Sequence, residues 1–492
     1  MPNLLVEAGP GCGKTHTISD AYIYAKHLNH QLFVSKFGPT EEQIAIYEWF
    51  YKNFKGCTKP PIYMAYNNDI VADMKKRVHT DCTELVKTHH GHGYTIIKKK
   101  HGYVPINEKR GEILVQEIEG APMSSLKNKW EWLTTLKFVE KLKMELLPIS
   151  EQNFYLLQMK YNDLAPFRIH SNMTQQAAKL IQAMKKIDYK QGIQYVDQVW
   201  LAIFLLREPI YEWGFVDESQ DLSPYLLELS KRLCKNLLFV GDSNQAINAW
   251  NGADPMAMRR IEAECEGVKT LTQSFRLTPS HAEHANKIRP TARLRSTPGK
   301  KDGVTQTIDR EETLSILEQM HEHSPMVLCR YNAPLVRLAL RCAREGMPVH
   351  CLGSKMMEGL ISVVENRNAS NISELQAKLD AYEDKLLSTG DEMSKDYNKD
   401  RMDTIRYVLE QCTTIEEFTP TIKRLLAPSK KTNHIIFSTV HKAKGRENAN
   451  IFILNHPVAS PKATTPIQKE QEINVSFVAE TRSKLNKYYV YS

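Results

Sequence analysis

The chain has 492 residues, 42% hydrophobic and 25% charged, and its 65 Lys and Arg against 57 Asp and Glu give a formal net charge of +8. This length exceeds what one hydrophobic core serves, so roughly two to four domains are expected in an ordinary folded protein. The mild positive charge is compatible with a polyanionic partner but is too small to identify one. Its nine cysteines are scattered without a Cys-x-x-Cys pair, so neither a disulfide framework nor a zinc site is expected.

The N-terminal sequence MPNLLVEAGPGCGKT lacks the basic stretch and long apolar run of a signal peptide. No apolar stretch approaches the roughly 20 residues that cross a bilayer. We therefore expect a soluble, intracellular protein without a membrane partner. Its compartment would be the cytoplasm of a bacterium or a phage-infected cell, or the nucleus of a eukaryote.

Short apolar runs punctuate the chain, each followed by polar or glycine residues and then by helical spacing. Such runs predict the buried parallel strands of α/β domains. They lie at Leu4–Val6, Ile62–Ala65, Phe215–Val216, Leu237–Val240, Val327–Cys329, Ile435–Phe437 and Ile451–Leu454. Residues 96–195 and 356–428 have helical periodicity instead, which predicts two helical insertions. The segment Lys462–Gln468, flanked by Pro461 and containing Pro466, predicts a loop.

The first apolar run leads into the segment GPGCGKT, and a helical pattern follows it. Strand, glycine-rich loop and helix in this order predict a P-loop, in which backbone N–H groups surround phosphate oxygens. Lys14 would reach the β- and γ-phosphates, and the Thr15 hydroxyl would bind Mg²⁺. The helix N-terminus adds positive charge. The predicted nucleotide-binding residues of this segment are Gly9, Gly11, Gly13, Lys14, Thr15 and His16.

A second strand ends in the segment DESQD, which begins at Asp217. Asp217 would hold Mg²⁺, and Glu218 would orient and deprotonate the attacking water. Alone, an Asp-Glu pair after a strand is more often a solvated loop. The P-loop upstream favours the hydrolytic interpretation.

Together with further segments, these two motifs resemble those of the superfamily 1A helicases of the UvrD/Rep/PcrA group. Their amino-acid sequences resemble in particular the motifs of the F-box DNA helicase branch. The matching segments follow one another in family order from residue 4 to residue 490. The further segments are Tyr63–Asn68, Lys87–His90, Gly241–Gln245 with Trp250–Asp254, Leu271–Arg276, Val327–Ala333, Thr439–Glu447 and Phe477–Lys484. One such motif would be weak evidence, but this many in order are specific.

The resemblance implies roles for residues that the spacing alone does not assign. Gln245 would sense the γ-phosphate, and Arg276 and Arg482 would contact it from across the cleft, where guanidinium groups stabilise a transferring phosphoryl group. Phe275 would stack on adenine, and Glu447 would accept a hydrogen bond from ribose. Aromatic stacking along a basic channel would hold single-stranded DNA. The implied DNA-binding residues are Tyr66, Asn68, Thr88, His89, Trp250 and His441.

The implied fold is α/β, with two RecA-like P-loop motor domains that have parallel sheets, each carrying a helical insertion, and with the nucleotide between them. The first motor domain, 1A, would be residues 1–95 and 196–280, with insertion 1B at 96–195. The second, 2A, would be 281–355 and 429–492, with a reduced insertion 2B at 356–428.

The implied function is a 3′–5′ DNA helicase or translocase that uses ATP and Mg²⁺. It would move on single-stranded DNA and at single-strand/duplex junctions, unwinding duplex or stripping bound protein, with replication or recombination proteins as candidate partners. Two alternatives stay open: an RNA helicase or RNP remodeller, and an ATP-gated DNA-binding module without unwinding. The family's adenine-reading glutamine normally precedes the P-loop. Gln43, in PTEEQ, resembles it but follows the P-loop, so we interpret it as a helix start, and adenine specificity stays open.

Overall fold

The computed structural model describes residues 2–27, 38–161, 163–164, 167–248, 253–254, 256–388, 392–426, 433–455 and 458–491. The chain divides into two compact units, Met1–Thr272 and Gln273–Ser492. In the part of the chain that the structure describes, none of the helices has both the length and the apolar character that a membrane crossing requires.

The first unit is built on a six-stranded, fully parallel sheet. Its strands are β1 (Leu4–Ala8), β2 (Ile62–Ala65), β3 (Val86–Thr88), β4 (Tyr211–Val216), β5 (Cys234–Gly241) and β6 (Gly267–Leu271). They pair in the order β3-β2-β4-β5-β1-β6. Strand β2 is wholly buried and β4 and β5 largely so, as expected for strands covered on both faces. All six strands end at the same edge, which brings the loops that follow them together.

Eleven α-helices accompany this sheet among the described residues. They are α1 (Lys14–His27), α2 (Glu41–Phe54), α3 (Asn68–Lys75), α4 (His89–His101), α5 (Arg110–Glu119), α6 (Lys129–Glu145), α7 (Glu151–Lys160), α8 (Met173–Met184), α9 (Asp197–Leu205), α10 (Pro224–Leu233) and α11 (Ala257–Ala263). Helices α5–α8 surround a hydrophobic core that includes Trp132, Phe138 and Phe154 and extends to Ile97 of α4 and Trp200 of α9. The predicted insertion therefore contributes a second core to the first unit.

A buried charged cluster ties this helical insertion together. Asp197 at the start of α9 accepts from Lys143 Nζ at 2.7 Å and from Arg110 Nη1 at 3.5 Å, and all three residues are at most 1% exposed. Helices α4 and α9 also approach closely, because a Cβ at Gly93 would lie 2.2 Å from the Gln198 carbonyl oxygen. Helix α9 thus anchors the insertion to the helix that follows β3.

The second unit has its own six-stranded parallel sheet and a small two-stranded one. The small sheet pairs β7 (Gln273–Ser274) with β8 (Arg295–Ser296). The large sheet contains β9 (Thr305–Ile308), β10 (Met326–Cys329), β11 (Val349–Cys351), β12 (Ile435–Thr439), β13 (Asn448–Leu454) and β14 (Ser483–Val490). Its strand order is β11-β12-β10-β13-β14-β9.

Eight α-helices accompany this sheet among the described residues. They are α12 (Pro279–Ile288), α13 (Arg310–Met320), α14 (Asn332–Arg344), α15 (Ser354–Glu365), α16 (Ile372–Leu387), α17 (Glu392–Leu409), α18 (Phe418–Leu426) and α19 (Pro466–Glu480). Leu379 of α16 and Ile405 of α17 belong to the same buried cluster as Val327 and Phe437 of the sheet. The helices of residues 356–428 therefore pack as part of the sheet's own core.

The α/β fold class with two parallel sheets is confirmed, and all seven apolar runs lie within strands. The prediction of a loop over Lys462–Gln468 is wrong at its end, because α19 begins at Pro466. Thr465 caps this helix in a capping box with Gln468, and proline is well suited to a first helical position, where no N–H is needed. The boundaries of the four-part domain division stay a prediction.

Candidate nucleotide and nucleic-acid site

The P-loop leaves β1 in a conformation that depends on glycine. Gly11 and Gly13 have φ angles of 72° and 81°, in the left-handed region that residues with a Cβ rarely adopt. The loop is closed by a hydrogen bond from the Cys12 N–H to the Gly9 carbonyl at 3.2 Å. Helix α1 then begins at Lys14, so its first N–H groups and its dipole favour an anion.

The two halves of the predicted hydrolytic site meet at the carboxyl edge of the sheet. Thr15 Oγ1 donates to Asp217 Oδ2 at 2.8 Å, and Lys14 Nζ lies 4.0 Å from Glu218 Oε1. Asp217 is 1% exposed, and this burial together with the charge of Glu218 raises the pKa of its carboxyl to about 6. The structure thus brings together the four side chains that the sequence predicted at the phosphates, at Mg²⁺ and at the attacking water.

A hydrogen-bonded chain continues from Glu218 to the loop after β5. Gln220 Nε2 donates to Glu218 Oε2 at 2.6 Å, and Gln220 Oε1 accepts the Asp242 N–H at 2.9 Å. Asp242 Oδ2 in turn accepts from Gln245 Nε2 at 2.6 Å. Glu218 itself has a φ of 53°, a left-handed conformation that is uncommon for a residue with a side chain and is often found at functional sites. The predicted base and the predicted phosphate sensor are therefore linked through Gln220 and Asp242.

Carboxylates outnumber cations around Lys14. Glu7 on β1 and Asp242 after β5 join Asp217 and Glu218 there, and burial raises the pKa of both Glu7, to about 7, and Asp242. An excess of carboxylates, of which Asp217 and Asp242 are buried, beside a hydroxyl ligand suits a divalent cation, which favours oxygen donors. Among the described residues, no group of three His, Cys, Asp or Glu side chains could by itself hold a metal. Thr15 and Asp217 fit Mg²⁺ that takes its other ligands from phosphates and water.

His16 and Gln43 lie on the helices that follow the P-loop. The half-buried His16 ring contacts Arg77 Nη1 at 3.2 Å, and burial followed by the Arg77 charge lowers its pKa. Gln43 is 3% exposed and donates through Nε2 to Thr17 Oγ1 at 2.9 Å, while its Oε1 accepts the Thr40 N–H. The interpretation of Gln43 as a helix start is confirmed, since it completes the capping box of α2.

Three of the predicted DNA-binding residues lie at the ends of the neighbouring strands β2 and β3 or shortly after them. Tyr66, directly after β2, is half-buried, and Asn68 is exposed at the start of α3. Thr88 ends β3, and its Oγ1 accepts the Gly91 N–H at 3.0 Å as the N-cap of α4. These residues lie at the same sheet edge as the P-loop, on strands to one side of β4 and β5.

His89 is not brought to this surface. His89 is 2% exposed, and its Nε2 lies 3.1 Å from Ser230 Oγ. Its ring packs inside the first unit, because α4 turns this position towards α10, and its DNA-binding role stays a prediction that this burial does not support. Trp250 lies outside the described residues, so its predicted stacking role stays a prediction.

The second unit gathers several of the residues to which the resemblance gives nucleotide roles. Arg276 Nε donates to Glu447 Oε2 at 2.5 Å, and Arg276 Nη1 donates to the Thr481 carbonyl at 3.1 Å. Lys484 Nζ lies 2.7 Å from the other Glu447 oxygen. Burial would raise the pKa of Glu447, but Arg276 and Lys484 lower it to about 2. The Glu447 carboxylate, predicted at ribose, is thus held ionised between two cations.

Arg482 follows α19 and is only 1% exposed. Its Nε donates to the Val478 carbonyl at 2.9 Å and its Nη1 to the Arg446 carbonyl at 3.2 Å. Phe275, beside Arg276, is half-buried. The nucleotide roles of these residues stay predictions.

His441 lies in the turn after β12 and is half-buried. Burial, followed by the charges of Arg330, Lys444 and Lys442, keeps its pKa well below the ordinary value. Its imidazole is therefore neutral, and a contact with DNA would be made through hydrogen bonding or stacking.

Glu7, Gln220 and Asp242 are functional candidates that the sequence did not single out individually. Gln220 and Asp242 lie inside motifs that were identified, but their mutual contact depends on the pairing of β4 with β5. Glu7 precedes the P-loop, and its only sequence signal is a carboxylate in an otherwise apolar strand.

One family of known proteins matches the part of the chain that contains the P-loop. Residues 2–266 match the UvrD/REP helicase N-terminal domain. The ATP-dependent DNA helicase PcrA of Leuconostoc citreum is 27% identical over an alignment of 195 residues, which covers 33% of this chain and 26% of that protein.

Two eukaryotic relatives match over longer stretches. F-box DNA helicase protein 1 of Schizosaccharomyces pombe is 25% identical over 56% of this chain and 33% of its own length. F-box DNA helicase 1 of Gallus gallus is 23% identical over 63% of this chain and 32% of its own length. The matches thus span about a quarter to a third of each of these relatives. Because the family match covers more than half of the residues and contains both the P-loop and the Asp217–Glu218 pair, the chain belongs to the UvrD/REP helicase family.

Proposed function

We propose that this protein is an ATP- and Mg²⁺-dependent DNA helicase or translocase that moves 3′ to 5′ along single-stranded DNA, unwinding duplex or stripping bound protein. The observation that carries the proposal is the meeting of Thr15 with Asp217 and of Lys14 with Glu218 at one sheet edge. Hydrolysis of a nucleoside triphosphate needs this set: a phosphate-binding cation, metal ligands and a base. A motor of this kind would work inside the cell, where ATP and DNA are found.

The hydrolytic step follows from the positions of these groups. Lys14 and the N–H groups of the P-loop would hold the phosphates, and Thr15 and Asp217 would hold Mg²⁺. When bound, the ion supplies positive charge to the β- and γ-phosphate oxygens. Glu218 would orient the attacking water and accept its proton. Arg276 and Arg482 would add guanidinium charge to the transferring phosphoryl group.

Single-stranded DNA is the proposed track because the relatives are named DNA helicases and because Tyr66 and Asn68 follow β2, the neighbour of the strand that leads to Asp217. Tyr66 would offer a ring on which a base stacks, a contact worth about 1–3 kcal/mol. Junctions between single strands and duplex are the proposed sites of unwinding. The 3′-to-5′ direction rests on resemblance to the family.

The test is ATP hydrolysis by the purified chain without nucleic acid, with single-stranded DNA and with RNA of the same sequence. We expect DNA to stimulate turnover more than RNA, with stimulation that weakens at higher salt because phosphate contacts release counterions. Stronger stimulation by RNA would favour the RNA-helicase alternative. ATP-dependent DNA binding without unwinding of any fork would favour the ATP-gated module.

Polarity needs forked duplexes with a single tail. We expect unwinding from a 3′ tail and none from a 5′ tail. Unwinding that requires a 5′ tail would overturn the proposed direction while leaving the hydrolytic site intact.

A further inference from the structure

Glu7 is a carboxylate on β1, two residues before the P-loop begins at Gly9. Its Oε1 accepts two hydrogen bonds from one residue, the Ser243 N–H at 2.7 Å and the Ser243 hydroxyl at 2.6 Å. Ser243 is the first residue of the 3-10 turn Ser243–Gln245. A side chain of the P-loop strand therefore holds the start of the turn that carries Gln245.

The turn is fixed from its other side by the chain of bonds that leads to Glu218. Asp242, its N-cap, accepts from the Asn244 N–H at 3.0 Å and from Gln245 Nε2 at 2.6 Å, and its own N–H is bound by Gln220. With Glu7 included, the turn is tied both to β1 and to the loop after β4.

We propose that Glu7 is a positioning residue for nucleotide hydrolysis: it holds the Ser243–Gln245 turn in register with the P-loop, so that Gln245 meets the γ-phosphate. The inference rests on the proposed function. The geometry supports it because β1 and β5 are paired neighbours, with Glu7 opposite Gly241, and no side chain of Gly241 stands between them. Small displacements of groups that contact the reacting phosphate have large effects on rate.

The ionisation of Glu7 gives a readout that a purely structural carboxylate would not give. The charges acting on it are Asp242, after β5, and Lys14 in the P-loop, while its strand neighbours Thr270 and Gly241 are uncharged. Burial, then Asp242, raises its pKa to about 7, so below that pH its Oε1 can still accept both bonds while the group is neutral. Above it, a second negative charge appears beside Asp242 and near Lys14, which would hold the phosphates.

The experiment compares Glu7→Leu, which removes the acceptor, with Glu7→Gln, which keeps it and cannot ionise. We expect Glu7→Leu to lower kcat by about 10- to 100-fold with a small change in KM for ATP, because the lost contact acts on the transition state. We expect the kcat of the wild type to decline as pH rises through and above 7. We expect Glu7→Gln to stay within about threefold of the wild type at pH 6.5 and to lack this decline. Glu212→Leu, on β4 of the same sheet and paired with Lys235 at the surface, is the matched control.

Hydrogen exchange of the Ser243 amide separates this inference from the proposed function, because it requires no turnover. Faster exchange in Glu7→Leu, with wild-type exchange in Glu7→Gln, supports the contact even if the chain proves not to hydrolyse ATP. An unchanged kcat in Glu7→Leu, an equal loss in both variants, or the same pH profile in Glu7→Gln and wild type would overturn the proposal. If Glu7→Leu fails to fold, the pH profile of Glu7→Gln decides.

Discussion

Gln220 Nε2 lies 2.6 Å from Glu218 Oε2, so the predicted catalytic base is held by the residue two positions after it. The same carboxamide accepts the N–H of Asp242, which carries the bond to Gln245. The orientation of the base and the position of the phosphate sensor are therefore coupled through one side chain. This coupling passes from β4 to β5 within the first unit.

Gly241 has no side chain, and this leaves space for the Gln220 side chain that links Glu218 to Asp242. A Cβ at this position would lie 2.7 Å from Gln220 Oε1 and 2.9 Å from Met258 Sδ. We expect Gly241→Ala to displace Gln220 and to lower both kcat and the free energy of unfolding, the latter by about 1–3 kcal/mol. Steady-state ATPase and urea unfolding are the measurements.

Gly267→Ala is the control for this substitution. Gly267 lies on β6 of the same sheet, where a Cβ meets nothing within 4 Å. We expect its effect on the free energy of unfolding to stay within about 0.5 kcal/mol. Equal effects of the two substitutions would contradict the role assigned to Gly241.

Because α4 contains buried histidines, we expect the free energy of unfolding to decrease at acidic pH. Burial lowers the pKa of His89 to about 3, and that of His90 and His92 to about 4. The unfolded chain takes up these protons near pH 6.5, so the stability that neutral histidines confer is complete above that pH and is lost as pH falls towards the folded values.

His89→Phe removes one of these groups and keeps an aromatic side chain. Between about pH 7.5 and pH 5, we expect the variant to lose roughly 1–2 kcal/mol less free energy of unfolding than the wild type. Urea unfolding at both pH values measures the difference, with His101→Asn at the other end of α4 as control. An equal loss in His89→Phe and wild type would show that His89 is protonated in the folded state.

The hydrogen bonds of Asp400 indicate that the inserted helix α17 stabilises the start of α14, the helix that follows β10 of the sheet. This residue of α17 is 7% exposed and accepts the N–H groups of Asn332 and Ala333, at 2.9 and 2.8 Å, at the start of α14. It also accepts Asn332 Nδ2. We expect Asp400→Asn to lower the free energy of unfolding by about 1–3 kcal/mol, because an amide cannot accept all three bonds at two oxygens.

Asp403→Asn, on the same helix, is the matched control for Asp400. Its carboxylate is 38% exposed and lies 3.5 Å from Arg406 Nη1. A surface ion pair of this kind contributes little, so we expect a change within about 0.5 kcal/mol. Equal destabilisation by the two substitutions would contradict a capping role for Asp400.

Strands could be predicted where the sequence has a run of apolar residues. They could not be predicted where a strand is exposed or where its buried residues include polar ones. Edge strand β6 is exposed at four of its five residues, so no apolar run marks it. Strand β14 contains Lys487, whose Nζ is fully buried against Glu480 Oε2 at 2.8 Å, a pairing that only the tertiary fold creates. A strand that is buried along its whole length can be recognised from its run of apolar residues, whereas an exposed edge strand or a buried ion pair cannot.

The same limit applies to the site. The P-loop and the Asp217–Glu218 pair were predictable because their chemistry is concentrated in short segments that follow strands. The contacts of Glu7 with Ser243 and of Gln220 with Asp242 were not, because they depend on the strand order β4-β5-β1. His89 was assigned to DNA from its motif position, and its burial against α10 depends on the orientation of α4.

The most direct test of the account is ATP turnover by the purified chain and by Lys14→Ala and Glu218→Gln, each with and without single-stranded DNA. We expect DNA-stimulated hydrolysis in the wild type and a loss of at least about 100-fold in both variants, since Lys14 holds the phosphates and Glu218 acts on the water. Glu218→Gln should still bind ATP. Full turnover in either folded variant, or a wild-type chain that hydrolyses no ATP with or without DNA, would contradict the hydrolytic site on which the account depends.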